Sequence, residues 1–317
     1  MFILCFESGG TKLVASVADS EGNLLTTQVR PRAAGQTAAQ TLDHLSDLGR
    51  QVLEGRTPSA IGFGFGGTVR RSDRRPIVCF HEEGWEDIDA PSILADRFGV
   101  PVLIENDCKL AALAEAWQGG TPPGGTLIYA TLGTGIGAGI VRRGYLVELG
   151  EIGEAEIGHI VVEPEGLPCG CGNRGCLEAY CSGPGLTNLA RSMTGRDIEP
   201  EELMQRFRQG ESTAQEIAER AAGYLARVLS TVVNLLSPEE IVLGGGVMTD
   251  NRRFLELVRD RTARWTFAPF WSRVREWRLS RLGRHVVCQG AAIYVLQQRG
   301  RSATVSGSCG STSGERN

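Results

Sequence analysis

The chain lacks several features that would settle a functional class at once. No basic leader followed by a long apolar run is present: MFILCFESGG meets Glu7 after a short apolar stretch, so no secretory signal is expected. A membrane helix is not expected either, because the uncharged stretch at residues 117–141 is studded with glycine and proline. Charge of one sign is not in excess: the formal net charge is -4, which gives no electrostatic reason to expect nucleic acid. Basic runs do occur, RRSDRR at residues 70–75 and the arginines between 252 and 264. Acidic residues interrupt them and aromatic stacking partners are scarce, so they read as solvated faces. There is no Gly-Lys dipeptide, which excludes a P-loop. The match to G-x-G-x-x-G at Gly62, Gly64 and Gly67 runs into RRSDRRP where a dinucleotide fold needs a helix, and is set aside.

What is present is ordinary in bulk. With 317 residues, 41% hydrophobic and 22% charged, the chain can bury a large core, and two domains are expected. Nine cysteines, an odd number, point to reduced thiols and a cytoplasmic location.

Residues 2–6 (FILCF) are predicted as a strand, Gly9 and Gly10 as a turn, and residues 13–17 as the returning strand. The DSEGN turn leads to a third strand near 24–29, and Leu42, Leu45, Leu48, Val52 and Leu53 then recur at helical spacing. SAIGFGF is another strand, followed by a charged, irregular stretch through Trp85. A short helix after Pro91, the strand PVLI and the helix DCKLAALAEAW come next. The pattern then begins again: TLIYATLGTGIGAGIV is a strand, a Gly-Thr-Gly turn and a returning strand, echoing ILCFESGGTKLVASV. Two copies set a domain length apart suggest a duplicated α/β unit. Three helical patterns follow between residues 185 and 236, the last with an apolar stripe at Ile217, Ala221, Leu225, Val228, Val232 and Leu236. EEIVLGGGV is a strand running into a turn, and a final helix is predicted over 287–297. The tail from residue 300 is poor in apolar residues and is expected to be disordered.

CGCGNRGC carries three cysteines, Cys169, Cys171 and Cys176, with glycines between them that let thiolates converge. His159 upstream completes a Cys3His set of the kind that holds a structural Zn2+. The plainer reading is a group of small buried hydrophobes near an unrelated histidine. Cys181 is a rival ligand, ranked lower because the chain after Cys176 looks like a helix start.

Three glycine-rich turns follow strands: Glu7, Gly9, Gly10, Thr11 and Lys12 in ESGGTK; Gly133, Thr134 and Gly135 in LGTGIGAG; and Gly244, Gly245 and Gly246 in LGGGV. Each one alone is what a hairpin needs. Together they offer backbone N–H groups and hydroxyls to a nucleotide's phosphates. In VLIENDCKLAALAEAW a strand runs through Asn106 and Asp107 into a helix. Taken alone this is a helix cap, though a carboxylate at such a place is also where α/β enzymes put a general base.

In this order, ESGGTK, GFGFGGTV, IENDCKLAALAE, TLGTGIGAGIV, GEAEIGHIVV, CGCGNRGCLEAY and IVLGGGV resemble the ROK proteins, bacterial sugar kinases and sugar-responsive repressors. The resemblance covers residues 2–297. It implies the two-domain actin-like, ribonuclease H-like ATPase fold with an interdomain cleft. The expected division is an N-terminal domain over 1–116, rejoined by a C-terminal helix at 287–298, a larger domain with the zinc loop over 117–286, and a tail over 300–317. It further implies transfer of the γ-phosphate of ATP, with Mg2+, to a hexose or N-acetylhexosamine, usually at the 6-hydroxyl. Asp107 would be the general base. Asn106, Glu156, His159 and Glu178 would hold sugar hydroxyls, and Gly66 and Gly67 would line the pocket. Members of the family are often dimers.

The sequence departs from the family in three places. Glu7 stands where an aspartate usually helps to place magnesium, and the added methylene shifts the carboxylate by about a bond length. His81, Glu82 and Glu83 occupy a stretch that often carries a sugar-contacting asparagine before Trp85, and Gly66 replaces a frequent proline. A repressor of the family needs several dozen residues ahead of the first hairpin, which here begins at residue 7, so the kinase is expected. The alternative is a sugar-binding regulator with weak or lost catalysis, which Glu7 makes plausible.

Overall fold

A computed structural model of the chain describes residues 1–79, 82–119, 121 and 124–307. The first half holds strands β1 (Ile3–Ser8), β2 (Lys12–Ala18) and β3 (Leu24–Pro31), helix α1 (Ala38–Leu53), strands β4 (Ala60–Phe65), β5 (Thr68–Val69) and β6 (Pro76–Val78), helix α2 (Ala90–Phe98), strand β7 (Val102–Asn106) and helix α3 (Asp107–Gly119). The second holds β8 (Thr126–Leu132), β9 (Ile136–Arg142), β10 (Tyr145–Leu146), then α4 (Glu178–Cys181), α5 (Gly183–Thr194), α6 (Pro200–Gln209) and α7 (Ser212–Leu236). After these come β11 (Glu240–Gly244), α8 (Arg252–Trp265), α9 (Ala268–Trp271), β12 (Glu276–Leu279) and α10 (Val286–Gly307).

The repeat seen in the sequence is a repeat of sheet topology. One five-stranded sheet has the order β3-β2-β1-β4-β7, the other β10-β9-β8-β11-β12. In each, two hairpin pairings are antiparallel and the last two pairings are parallel. The inner strands β1 and β4 are buried at every residue, as expected for strands covered on both faces. Helix α1 begins with a capping box: the Thr37 side chain accepts from Gln40 N and the Gln40 side chain accepts from Thr37 N.

Helices α3 and α10 lie between the two sheets. Leu110 to Ala114 of α3 and Val287, Ala291 and Val295 of α10 share one core with Ile3, Cys5 and Val14 of the first sheet and Leu127, Tyr129 and Val242 of the second. Close approach explains the discarded glycine motif: a Cβ at Gly64 would lie 2.2 Å from Val287 Cγ1. Glycine there lets α10 sit on β4. No described helix is long and apolar enough to cross a membrane.

The structure differs from the sequence reading in four places. The last helix starts at Val286 and continues to Gly307, beyond the expected end near 297, so residues 300–307 are helical where a disordered tail was expected. Extending a formed helix costs little per residue, and Arg299 ties this one down by donating to Ser59 O at 2.5 Å. Residues 308–317 lie outside the described residues. The stretch after β4 holds the small β5–β6 hairpin. Its arginines are not a solvated run: Arg71 and Arg74 reach Glu148 at 3.0 and 3.4 Å, and Arg74 also reaches Glu105 at 2.9 Å. Leu236, at the end of the α7 stripe, is exposed because the helix ends there.

Candidate active site

Strand β7 runs parallel to β4 with Phe65 paired to Asn106, so the chain leaving β4 at Gly66 and Gly67 passes beside the start of α3. Asn106 joins the two. Its Oδ1 accepts from Cys108 N at 2.9 Å and Lys109 N at 3.1 Å, capping α3, and its Nδ2 donates to Gly67 O at 3.0 Å. Asp107 then opens the helix with its carboxylate over a cavity of about 720 Å3. Burial pushes its pKa up to about 6; the hydrogen bonds from Cys108 pull the other way, and the Glu156 charge adds to the rise. Gly66 leaves no room for a side chain, since a Cβ there would lie 2.7 Å from Ser8 O. Its N–H donates to Ser8 O at 2.9 Å, a bond that proline could not make.

The three glycine-rich turns line the same cavity. In the β1–β2 turn, Gly9 N donates to Lys12 O at 3.1 Å, and Lys12 Nζ lies 3.1 Å from Glu7 Oε1. Glu7 is 5% exposed and its Oε2 has no hydrogen-bond partner among the described residues. Burial raises its pKa to about 7, against the pull of Lys12 and with a push from Asp107. In the β8–β9 turn Gly133 N donates to Gly135 O at 2.9 Å. The two turns touch across the cleft: a Cβ at Gly10 would lie 3.3 Å from Thr134 Oγ1. Thr11, Gly244, Gly245 and Gly246 complete the lining on this side.

His159, Cys169, Cys171 and Cys176 converge, each offering a ligand atom within 4.8 Å of the others. Cys171 Sγ and Cys176 Sγ are 3.7 Å apart, as are Cys169 Sγ and His159 Nδ1. Thiolates about 2.3 Å from a tetrahedral zinc lie about 3.8 Å from each other, so the set fits Zn2+. Cys181 is excluded, because its thiol is buried and turned toward Ala221 O at 3.3 Å. The cluster ties together the segment carrying Glu156 and the start of α4 at Glu178. Both carboxylates and His159 line the cavity. Glu178 Oε2 accepts from Ile136 N at 2.7 Å, and burial raises the Glu156 pKa while His159 and Lys109 lower it.

All the site residues expected from the sequence therefore meet in or beside one cavity. Of the departures, His81 lies outside the described residues. Glu82 does not line the cavity: its Oε2 accepts from Trp85 Nε1 at 2.6 Å and from Arg32 Nη1 at 3.1 Å. The sequence reading missed Asp250 and the segment Ser280, Gly283, Arg284, Val286 and Val287, which form another part of the wall. The short turn at Gly283 before the last helix was the one local signal for it. Its place beside the first hairpin follows from Lys12 Nζ donating to Arg284 O at 2.8 Å, across most of the chain.

Comparison with known proteins agrees with this architecture. The ROK family model matches residues 3–298. A glucokinase of Streptomyces coelicolor is 31% identical over 303 residues, covering 90% of this chain and 94% of that protein. An N-acetylmannosamine kinase of Shigella flexneri is 31% identical over 251 residues, covering 78% and 84%. Among solved structures, a ROK family glucokinase from Streptomyces griseus in complex with glucose and AMPPNP superimposes with a TM-score of 0.81 at 29% identity, covering 93% of this chain and 99% of that one. The fold is the two-domain actin-like ATPase fold, and the chain belongs to the ROK family.

Proposed function

We propose that this sugar kinase transfers the γ-phosphate of ATP to a hydroxyl, the 6-hydroxyl, of a hexose or N-acetylhexosamine. The observation that carries the reading is one cavity lined both by the carboxylates of Asp107, Glu156 and Glu178 and by three glycine-rich turns. The two-part lining suits a sugar, which needs directional acceptors, and a polyphosphate, which needs N–H donors. Asn106, Glu156, His159 and Glu178 orient the sugar hydroxyls, with Gly66 and Gly67 giving the ring room. Asp107 takes the proton as the sugar oxygen attacks. Its raised pKa suits this work, because it is ionised at neutral pH yet basic enough to accept. The turns hold the phosphates in line, and positioning supplies most of the rate.

Magnesium, when bound, neutralises charge on the phosphates. Glu7 fits it, since its buried Oε2 is an acceptor without a donor. Zinc held by His159, Cys169, Cys171 and Cys176 has no open position and serves to fix the Glu156 and Glu178 segments. The eight described cysteines are free thiols, which suits a cytoplasmic setting. Domain boundaries near 116 and 286, with the last helix returning to the first half, belong to the same reading.

The test is a sugar panel. Purified protein with Mg-ATP is expected to phosphorylate at least one of glucose, mannose, N-acetylglucosamine or N-acetylmannosamine, read by mass spectrometry of the product. Absence of any phosphosugar across a broad panel would sink the kinase reading. One observation favours the alternative of a weakly catalytic sugar-binding regulator: Lys12 already pairs with Glu7 Oε1, leaving a single oxygen for the metal. Sugar binding by calorimetry without product would select it.

The pH dependence follows from Asp107. The base works ionised, so kcat/KM should fall about tenfold per unit below pH 6 and level off between about 6 and 7, where Glu7 also titrates. A profile flat down to pH 5 would remove Asp107 from the role.

A further inference from the structure

The cavity's charge is poorly matched to the donor proposed for it. ATP brings several negative charges to a lining that already holds five carboxylates, Asp250 and Glu7 among them, and two permanent cations, Lys12 and Arg284. Lys12 is committed, with its Nζ 3.1 Å from Glu7 Oε1 and donating to Arg284 O at 2.8 Å. Arg284 is not. It is exposed at the cavity wall, and its guanidinium enters no ion pair or hydrogen bond among the described residues.

Its place is nevertheless well defined. The carbonyl of Arg284 is held by Lys12, Gly283 before it turns the chain at φ +63°, and α10 starts two residues later. Val286 and Val287 line the cavity too, so the first turn of α10 borders it and adds a field that favours an anion. Burial, then Lys12 and Arg284, lower the pKa of His285, which disfavours its charged form.

We infer that Arg284 grips the polyphosphate of the phosphoryl donor, beside the β1–β2 turn, as the cation that Lys12 cannot supply while it balances Glu7. A guanidinium offers a planar fork of N–H groups that matches two phosphate oxygens at once. The identity of the donor rests on the kinase reading; the anion site rests on the charge and geometry of this wall.

The experiment is calorimetric titration of the wild type, Arg284→Gln and Arg284→Lys with Mg-ATP, inorganic tripolyphosphate and adenosine at fixed ionic strength. Arg284→Gln is expected to bind ATP and tripolyphosphate about tenfold to a hundredfold more weakly and adenosine unchanged. Arg284→Lys should recover part of the loss, and in turnover the KM for ATP should rise while that for sugar does not. Unchanged polyphosphate affinity in Arg284→Gln would overturn the inference, as would an equal loss for adenosine. The two proposals fail separately. A wild type that binds ATP through Arg284 but makes no phosphosugar keeps this site and loses the kinase, and an active enzyme indifferent to Arg284→Gln does the reverse.

Discussion

Asp107→Asn is expected to lower kcat/KM by about two to four orders of magnitude, the range a positioned general base supplies. The variant should fold. Asn106, not Asp107, makes the two-donor cap of α3 and the bridge to Gly67, and an asparagine at 107 still accepts from Cys108 N. It should also be more stable. The folded pKa of about 6 lies above the ordinary 3.8, so Asp107 favours folding in acid and loses that contribution as pH rises through about 6. At pH 8 the ionised group costs the empty protein about 1–3 kcal/mol, the shift at about 1.4 kcal/mol per unit reduced for its partial exposure to the cavity. Denaturant unfolding at pH 5 and pH 8 should therefore show a larger loss in the wild type than in the variant, which keeps only the share that Glu7 contributes. Retention of a tenth of wild-type turnover would rule out the base, whatever the stability.

Removing zinc should have the next largest effect. Elemental analysis should find close to one zinc per chain, and Cys171→Ser should lower it sharply. The cluster sits outside both sheets, in a loop held by two isolated bridges, Val161 with Cys176 and Pro168 with Arg174. Its loss should loosen this loop while leaving the sheets folded. Glu156 and Glu178 flank the loop, so the KM for sugar should rise about tenfold to a hundredfold, with the affinity for ATP little changed. A metal-free protein, fully folded and with an unaltered KM for sugar, would contradict the assignment.

The two halves of the site were legible to different degrees. The hairpins, the Asn106–Asp107 helix start and the Cys3His set are local patterns, and each needs only neighbouring residues to define it. Arg71 and Arg74 were misread because their partners Glu148 and Glu105 lie far away in the chain. Arg278 is a similar case. It is buried between Glu115 of α3 and Glu240 of β11, at 2.5 and 2.7 Å, and no spacing in the sequence links the three. Glu82 looked like a substitute for a sugar-contacting residue, yet Trp85 and Arg32 turn it inward.

By itself the sequence determined the duplicated strand–turn–strand units, the grouping of His159 with Cys169, Cys171 and Cys176, and the helix that begins at Asp107, because periodicity, glycine and residue spacing act over a few residues. Only the tertiary structure decided that these pieces share one cavity, that Glu7 is paired with Lys12, and that Arg284 stands unpaired on the wall. The physical reason is that charge balance and burial depend on distances through space. Those distances were set when α3 and α10 packed between the two sheets.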